Sequence, residues 1–429
     1  MAREMKDSGF EWIGEIPVDW LTKKIKHNFT VFAGATPKSE KKEYWDGDIS
    51  WITPADYKTE DKYVCMGRKN ISIEGYKSCG TTIVPKGSVI FSKRAPVGTV
   101  AISGNELCTN QGCLSCVPHE CVDCVYYYFV LSVFTEQFEL LSTGTTFKEI
   151  SVNSFVNFPL PFPIYKEQIQ ISSFLSKKCV EIDNVLSKTR TSIEEYKKLK
   201  QALITQAVTK GLDSNAEMKD SGIEWVGNIP SNWNIHPIYY SFGERKNKNS
   251  SGQENNLLSL SYGNIVRKDI NSNEGLLPES FKTYNIIETG DIIIRPTDLQ
   301  NDKRSLRTGI AKEHGIITSA YIALMPIRSI NAAYYHYQLH AFDVMKVFYN
   351  MGNGIRQGLN FREFSHLRVI EPPREEQDSI VEYLDEKCKE IDYLIAKKEK
   401  YVAEIENYKK SFIYEYVTGK KEVPQEYKA

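Results

Sequence analysis

The sequence lacks the motifs that mark several common enzyme classes. There is no Gly-x-x-x-x-Gly-Lys-[Ser/Thr] phosphate loop, no His-Glu-x-x-His zinc pair, and no Asn-Pro-Pro-Tyr or Asp-Pro-Pro-Tyr run of the kind that amino-methyltransferases use. A Pro-Asp pair with a downstream acid and lysine, as in many nucleases, is also missing. These absences argue against several catalytic classes, and we predict a chain that is not itself an enzyme.

Long apolar runs and a leader segment are missing as well. No apolar stretch is long enough to span a bilayer, and no apolar core follows the charged first residues as it would in a signal peptide. The nine cysteines, an odd number, fit a reducing compartment better than a disulfide framework. We therefore expect a cytoplasmic protein that makes no membrane contact.

The chain also has no excess of charge of either sign. Its 54 basic and 55 acidic residues leave a net charge of −1, whereas a protein that binds DNA alone and without specificity usually has a basic surplus. Any nucleic-acid contact must then rely on local basic loops or on a partner. The length of 429 residues predicts two to three domains.

What the chain does contain is a long internal repeat. Residues 5–20 return as residues 218–233, and 11 of the 16 positions are identical. Both copies begin Met-Lys-Asp-Ser-Gly and place a Trp, a Gly, an Ile-Pro pair and a second Trp at the same spacing. A repeat of this length marks two copies of a whole domain, not a solenoid unit.

A second repeat opens a helical segment at the end of each copy. Pro163 and Pro372 each begin a Pro-x-x-x-Glu-Gln motif, and the two segments stay in register at an offset of 209 residues. Apolar residues recur at three- and four-residue spacing in both, as in a coiled-coil seam. We predict two helices of about 40 residues, roughly 60 Å long at ~1.5 Å per residue, that pack antiparallel on each other.

Short apolar runs cut by Gly, Pro and Asp predict β-rich structure between these repeats. The predicted fold class is α+β, with two similar mixed α/β domains separated by two long helices that form an antiparallel coiled coil. The predicted limits are 1–162 for the first domain, 163–212 for the first helical segment, 213–371 for the second domain, 372–421 for the second helical segment and 422–429 for a tail.

Basic and amide residues cluster in the loops of both copies, and we regard them as candidate DNA contacts. Arg and Lys bind phosphates or guanine edges, and Asn and Gln bind adenine in the major groove. The framework is duplicated while these loops differ, which suits two sites that read different targets on similar supports. The candidates are Lys93, Arg94, Asn110, Gln111, Thr145, Thr146 and Lys148 in the first copy, and Arg295, Lys303, Arg304, Arg307, Arg356, Gln357 and Asn360 in the second.

One stretch suggests a metal site. Cys113, Cys116, Cys121 and Cys124 form two Cys-x-x-Cys pairs with His119 between them. The gap of four residues between the pairs is shorter than in zinc ribbons, and the second copy has no cysteine in the matching region. We therefore interpret these cysteines as packing residues and predict no metal site, with zinc as the alternative.

Taken together, the sequence resembles the specificity subunit of a type I restriction-modification system. The resemblance covers essentially the whole chain. It is carried by the Trp12–Trp20 segment and its repeat, by Thr36-Pro37 with Tyr44–Gly47, by the strand from Gly87 to Gly98, by Asn110-Gln111-Gly112 and by the Pro-x-x-x-Glu-Gln helices.

The resemblance implies a function and a set of partners. Such subunits have two target-recognition domains, each reading one half of a bipartite, asymmetric site in double-stranded DNA, and helices that set the spacing and dock the methyltransferase subunits. It implies two modification subunits that carry S-adenosylmethionine and restriction subunits that use ATP and Mg, with no cofactor in this chain. The alternatives are an orphan specificity subunit that supports methylation only, and a two-domain scaffold that binds proteins.

Overall fold

The computed structural model describes residues 3–58, 61–144, 148–270, 280–297, 299, 306–351 and 358–427. It divides into two compact units. Unit 1 comprises Met1–Thr189 with Lys400–Ala429, and unit 2 comprises Arg190–Glu399. Each unit therefore holds one globular domain together with part of each long helix. The predicted domain limits divide the chain differently and stay a prediction.

The strands of unit 1 are β1 (Met5–Asp7), β2 (Glu15–Pro17), β3 (Leu21–Lys24), β4 (Phe29–Ala33), β5 (Trp45–Ile52), β6 (Tyr63–Val64), β7 (Lys69–Ile71), β8 (Val89–Ser92), β9 (Val100–Ser103), β10 (Cys108–Thr109), β11 (Cys113–Pro118) and β12 (Pro159–Phe162). Its α-helices are α1 (Ile25–Asn28), α2 (Ile73–Lys77), α3 (Cys124–Val133), α4 (Thr135–Leu140) and α5 (Val152–Val156). Short 3₁₀ helices span Lys42–Tyr44 and Gln425–Tyr427.

Two long helices connect to these domains, α6 (Tyr165–Lys210) and, at the end of the chain, α9 (Arg374–Val417). The strands of unit 2 are β13 (Met218–Asp220), β14 (Asn228–Pro230), β15 (Asn234–Pro237), β16 (Phe242–Glu244), β17 (Leu258–Ser261), β18 (Asn264–Arg267), β19 (Asn285–Ile287), β20 (Ile292–Ile294), β21 (Thr308–Ile310), β22 (Gly315–Ile317), β23 (Ile322–Pro326) and β24 (Arg368–Glu371). Its remaining helices are α7 (Ala332–Val344), α8 (Phe361–Phe364) and the 3₁₀ turns Ile238–Tyr240, Phe281–Thr283 and Val347–Asn350.

The core of unit 1 lies on both faces of a five-stranded sheet with the order β4-β11-β8-β9-β6. Strand β8 is buried along its whole length, and successive side chains of a strand point to opposite faces. Phe91 accordingly packs with Tyr126 of α3 and Phe138 of α4, whereas its neighbour Ile90 joins a second cluster on the other face with Ala101. This two-sided burial explains why the β8 sequence is apolar without alternation.

Unit 2 repeats this plan on a four-stranded antiparallel sheet with the order β16-β23-β20-β21. Ile292 and Ile294 of β20 face the buried tyrosines of α7, Tyr334 and Tyr335. Ile293 between them faces a separate cluster on the opposite side. A helix with two buried tyrosines thus packs on a sheet in both copies.

The repeated opening segment joins each domain to a long helix. In unit 1 the indole Nε1 of buried Trp20 donates to Glu167 Oε2 at 2.8 Å, and in unit 2 Trp233 donates to Glu376 Oε2 at 2.9 Å. Both glutamates belong to the Pro-x-x-x-Glu-Gln motif. A buried indole N–H needs an acceptor, so this one contact accounts for two separate parts of the repeat.

The glutamine of the same motif ties the start of each long helix to its domain. The Nε2 atoms of Gln168 and Gln377 donate to the proline carbonyl five residues earlier, each at 2.9 Å. Their Oε1 atoms accept from the backbone N–H of Asp123 at 2.9 Å and of Asn331 at 3.0 Å. Asp123 and Asn331 are the N-caps of α3 and α7. The motif therefore fixes where both helices begin.

Within unit 1, the first half of α6 packs antiparallel on the last part of α9. The rings of Phe174 and Tyr416 have centroids 4.8 Å apart, and Lys409 Nζ lies 2.6 Å from Asp183 Oδ1. Residues later in α6 contact residues earlier in α9, so the two helices run in opposite directions. The hydroxyl of Tyr126 donates to the Val417 carbonyl at 2.7 Å, which anchors the end of α9 in the domain core.

Within unit 2, the rest of α6 also packs antiparallel on the first part of α9. Lys398 Nζ lies 5.7 Å from the ring centroid of Tyr196, and Lys200 Nζ lies 2.7 Å from Asp392 Oδ2. This ion pair is the repeat counterpart of the one in unit 1, because each member has an equivalent 209 residues away. The predicted fold class, with antiparallel long helices, is confirmed. None of the described helices has the length and apolar character needed to cross a membrane.

Candidate nucleic-acid interface

The candidate residues of unit 1 meet at one end of the five-stranded sheet. Strand β8 ends where its antiparallel neighbour β11 begins, so the loops after Ser92 and before Cys113 lie side by side. The backbone N–H of Lys93 donates to the Gly112 carbonyl at 2.9 Å, and the N–H of Ile150 donates to the Lys93 carbonyl at 3.0 Å. Three separate loops are thereby joined, and they hold Lys93, Arg94, Asn110, Gln111 and Lys148.

The amide turn in this cluster is held rigidly. Asn110 accepts from the Gly112 N–H at 2.9 Å through Oδ1, and its own N–H donates to the Ile52 carbonyl at 2.8 Å. Exposed Gln111 accepts a hydrogen bond from the Thr36 hydroxyl. A Cβ on Gly34 would lie 2.1 Å from the Asn110 carbonyl oxygen, so only glycine allows this close approach. The Thr36 and Asn110-Gln111 signatures therefore belong to one structure.

An acidic residue that the sequence analysis missed lies among the basic ones. Lys93 Nζ is 2.8 Å from Glu149 Oε1, and Arg94 Nε is 2.8 Å from Glu149 Oε2. The hydrogen bond from Lys93, with that from Arg94, outweighs desolvation and lowers the pKa of Glu149. One carboxylate thus offsets one of the two positive charges of Lys93 and Arg94. No pattern in the sequence identifies Glu149 as the partner, because the fold brings it there from 55 residues away.

Unit 2 builds an equivalent cluster with different side chains. The backbone N–H of Leu359 donates to the Pro296 carbonyl at 2.9 Å, and the N–H of Arg295 donates to the Arg307 carbonyl at 2.8 Å. Leu359 stands 209 residues after Ile150, so the same backbone support recurs. Exposed Asn360 caps α8 by accepting from the Glu363 N–H at 2.9 Å. Its side-chain oxygen therefore has a structural role next to the predicted interface.

Arg307 occupies a position that the sequence analysis did not anticipate. Its side chain is fully buried, and Nη1 donates to the carbonyls of Thr297 at 2.6 Å and Arg295 at 3.5 Å. Its backbone N–H donates to Asp343 Oδ2 at 2.6 Å. Arg307 thus supports the loop from inside; its contact with DNA stays a prediction, which the buried side chain does not favour. Arginine in a basic turn looks like a surface residue by sequence, and only the fold reveals its burial.

The remaining candidates differ in their exposure to solvent. The side chains of Lys148 and Arg94 are exposed, that of Lys93 is mostly covered, and that of Arg295 is half-buried. The following six candidates lie outside the described residues: Thr145, Thr146, Lys303, Arg304, Arg356 and Gln357.

The cysteine stretch does not converge on one point. Cys113 and Cys116 lie on β11 and point to opposite faces of the sheet, into separate core clusters. Burial raises the pKa of the Cys113 thiol to about 12 and raises that of Cys116 as well, which disfavours the thiolate that a metal needs. In the described parts of the chain, no three His, Cys, Asp or Glu residues are grouped to hold an ion.

Most of the first domain, together with part of α6, matches a known protein family. Residues 17–194 match the model of the type I restriction modification DNA specificity domain. The chain is 41% identical over 167 residues to the type I restriction enzyme MjaIX specificity subunit of Methanocaldococcus jannaschii, covering 38% of this chain and 39% of that protein. It is 24% identical over 310 residues to the MjaVIII specificity subunit of the same organism, covering 70% of each. The chain spans about two fifths of the length of the first curated relatives it matches.

Solved structures share the fold at low identity. A chain from a study of complex assembly and conformational transition of the type I R-M system matches with a TM-score of 0.71 and 13% identity, covering 94% of this chain and 98% of that one. The HsdS subunit from Thermoanaerobacter tengcongensis matches with a TM-score of 0.50 and 15% identity, with the same coverage. The resemblance to type I specificity subunits is confirmed.

Proposed function

We propose that this chain, whose residues 17–194 belong to the type I restriction modification DNA specificity domain family, reads DNA sequence for a type I restriction-modification complex. In this proposal each unit reads one half of a bipartite, asymmetric site in double-stranded DNA. The chain is non-catalytic. Two modification subunits supply the S-adenosylmethionine chemistry, and restriction subunits supply the ATP- and Mg-dependent reactions.

One observation carries the proposal: the same loop cluster is built twice with different side chains. In both units the loop after the central strand accepts a backbone hydrogen bond from a residue that precedes a short helix, Ile150 in unit 1 and Leu359 in unit 2. Around this shared support, unit 1 presents Lys93, Arg94 and the Asn110-Gln111 turn. Unit 2 presents the half-buried Arg295 there. Equivalent supports with different polar groups suit two readers of different bases.

The long helices are proposed to set the spacing of the half-sites and to dock the methyltransferase subunits. Both are regular over 46 and 44 residues, so each is a rigid element. They carry apolar side chains that stay in contact with water, including Val180, Leu199 and Tyr393, which are 59%, 46% and 67% exposed. Exposed apolar side chains of this kind on a helix surface suit contact with a partner protein.

A domain exchange tests the two-reader proposal. Residues 20–160 are replaced by the corresponding domain of a specificity subunit with a different target, and the hybrid is expressed with the modification subunits. Sequencing of the methylated motifs should show one altered half-site and one unchanged half-site. The matched control exchanges the second domain and should alter the other half.

Other outcomes separate the alternatives. A hybrid that changes both half-sites, or neither, contradicts the assignment of one reader to each unit. Methylation without any restriction activity would identify a subunit that supports methylation only. A chain that binds its partner proteins but never changes the methylated motif would be a protein-binding scaffold.

A further inference from the structure

A two-residue hairpin in unit 2 carries a tyrosine in an unusual conformation. Strands β17 and β18 pair antiparallel with Ser261 opposite Asn264, so Tyr262 and Gly263 form the turn. Both turn residues have positive φ, +46° and +80°. Two-residue hairpins with this geometry strongly prefer Asn-Gly, because asparagine and glycine tolerate positive φ better than other residues do. The turn itself therefore gives no reason for a tyrosine.

Burial gives no reason for it either. The side chain of Tyr262 is 84% exposed, so its ring contributes little to the core of unit 2. A bulky residue held at positive φ is uncommon and often marks a functional position. An exposed aromatic ring on such a backbone suggests a surface that binds something else.

The hairpin is fixed at its base. Leu258 of β17 is buried in a core cluster, and Arg267 of β18 forms an ion pair with Glu313, with Nε 2.8 Å from Oε1. A Cβ on Gly309 would lie 2.7 Å from Leu260 Cδ1, so β21 lies directly against the hairpin. The turn is therefore a rigid projection, and it holds its side chain in one place.

The tip of the hairpin is next to the candidate interface of unit 2. A Cβ on Gly263 would lie 3.0 Å from Leu306 Cδ1 and 3.7 Å from the Thr308 carbonyl oxygen. These two residues flank Arg307, which supports the loop that begins at Arg295. Tyr262 therefore projects beside the loop cluster proposed to face DNA.

We propose that Tyr262 stacks its ring against a base of the half-site that unit 2 reads. This inference rests on the proposed function. Proteins that bind the minor groove of DNA frequently insert apolar side chains between base steps, and aromatic rings stack on bases that are not paired in a duplex. A rigid hairpin with an exposed ring suits this contact, because little ordering is needed on binding.

The contact is expected in one half-site only. In unit 1 the corresponding strand is β5, which pairs in parallel with β10 as Leu257 pairs in parallel with Ile316 in unit 2, and β5 is followed by Thr53. Its N–H and hydroxyl both donate to Asp56 Oδ2, at 2.8 and 2.6 Å, and form a polar turn without an aromatic ring. Unit 1 therefore lacks a counterpart of the tyrosine at this position.

The test uses Tyr262→Asn in the complex of the full chain with its modification subunits. This substitution creates the preferred Asn-Gly turn, so the chain should fold at least as well as the wild type. The complex should bind the methylated motif about ten-fold more weakly, which is about 1.4 kcal/mol. Tyr262→Phe keeps the ring and should bind like the wild type. Tyr63→Asn, at a 54% exposed tyrosine of unit 1, is the matched control and should also bind normally.

Fluorescence of 2-aminopurine, placed in turn at each position of both half-sites, locates the contact. The wild-type complex should change the fluorescence at one step of the half-site assigned to unit 2, and Tyr262→Asn should abolish that change. Unchanged affinity of Tyr262→Asn would overturn the inference alone, as would equal losses for the Phe and Asn variants. If Tyr262→Asn failed to assemble with the modification subunits in the absence of DNA, Tyr262 would contact a protein, and the inference would also be overturned. A wild-type complex without preference for its motif would overturn the proposed function itself.

Discussion

Glu149 should weaken DNA binding in the wild-type protein, and its neutral isostere should strengthen it. Its carboxylate lies 2.8 Å from both Lys93 Nζ and Arg94 Nε, so the three side chains together carry a single positive charge. Glu149→Gln preserves the shape and one acceptor oxygen but leaves two positive charges. The cluster should then attract phosphates more strongly.

The size of the effect follows from the exposure of the cluster. The side chains of Arg94 and Glu149 are 45% and 36% exposed, so solvent screens these charges. One charge removed at roughly 7 Å from a phosphate changes the interaction by about 0.6 kcal/mol in a water-like dielectric. This is a gain of two- to three-fold in affinity, and one additional phosphate contact steepens the slope of log K against log salt by about 0.9. The free energy of unfolding should fall by less than about 1 kcal/mol.

Fluorescence anisotropy of the complex with its modification subunits, repeated over a range of salt concentrations, measures both quantities. Affinity should rise for the motif and for scrambled DNA alike, since the added attraction is not sequence-specific. The control is Glu136→Gln, which removes an acid paired with Lys410 outside the loop cluster. Weaker binding at an unchanged salt slope would refute the reasoning and show that Glu149 orients Lys93 and Arg94 for base contacts. No change at all would place the cluster away from DNA.

Two further predictions concern stability. Glu167→Gln should destabilise its unit more than Glu376→Gln does, because both glutamates accept a hydrogen bond from a buried indole but Glu167 also binds Arg3 at 2.5 Å. Hydrogen bonds to charged groups contribute about 1.5–3 kcal/mol to stability. Urea unfolding of the two variants measures the difference, and equal losses of stability would contradict the prediction. Burial lowers the pKa of His336 and His340 to about 4. Because both histidines are protonated more easily in the unfolded chain, unfolding takes up protons below about pH 6.5. The stability of unit 2 should therefore fall from about pH 6.5 towards pH 4, by at most about 1.4 kcal/mol per pH unit for each histidine. Replacing both with Gln should flatten this dependence in denaturant titrations between pH 4.5 and 7.5.

The framework of the fold is largely predictable from the sequence, because each repeated motif has a partner in another repeated motif. The Trp20 motif and the Glu167 motif recur together in both copies, and the structure joins them by a hydrogen bond. The antiparallel helices follow from their apolar spacing and from the fact that the chain supplies two of them. Both inferences depend on periodicity and repetition, which are visible in one sequence.

The candidate interface is only partly predictable, because its properties depend on contacts between distant loops. Glu149 and Lys93 are far apart in sequence, and nothing local pairs them. Arg307 looks like a surface residue by its sequence context, yet its side chain is buried and bonds to the carbonyls of Arg295 and Thr297. Tyr262 belongs to no periodic pattern, and what distinguishes it is its positive φ, which cannot be predicted from a tyrosine in the sequence.

The way the loops are supported explains how two copies of one framework can present different side chains. The link shared by the two clusters is a backbone hydrogen bond, in which the carbonyl of Lys93 in unit 1 and of Pro296 in unit 2 accepts from a later N–H. Proline has no N–H but keeps its carbonyl, so it can replace lysine here without loss of this bond. The side chains of the loop are then not needed for support. Substitutions at these positions can change what is recognised while the fold stays intact, as the proposed reading of a different half-site by each unit requires.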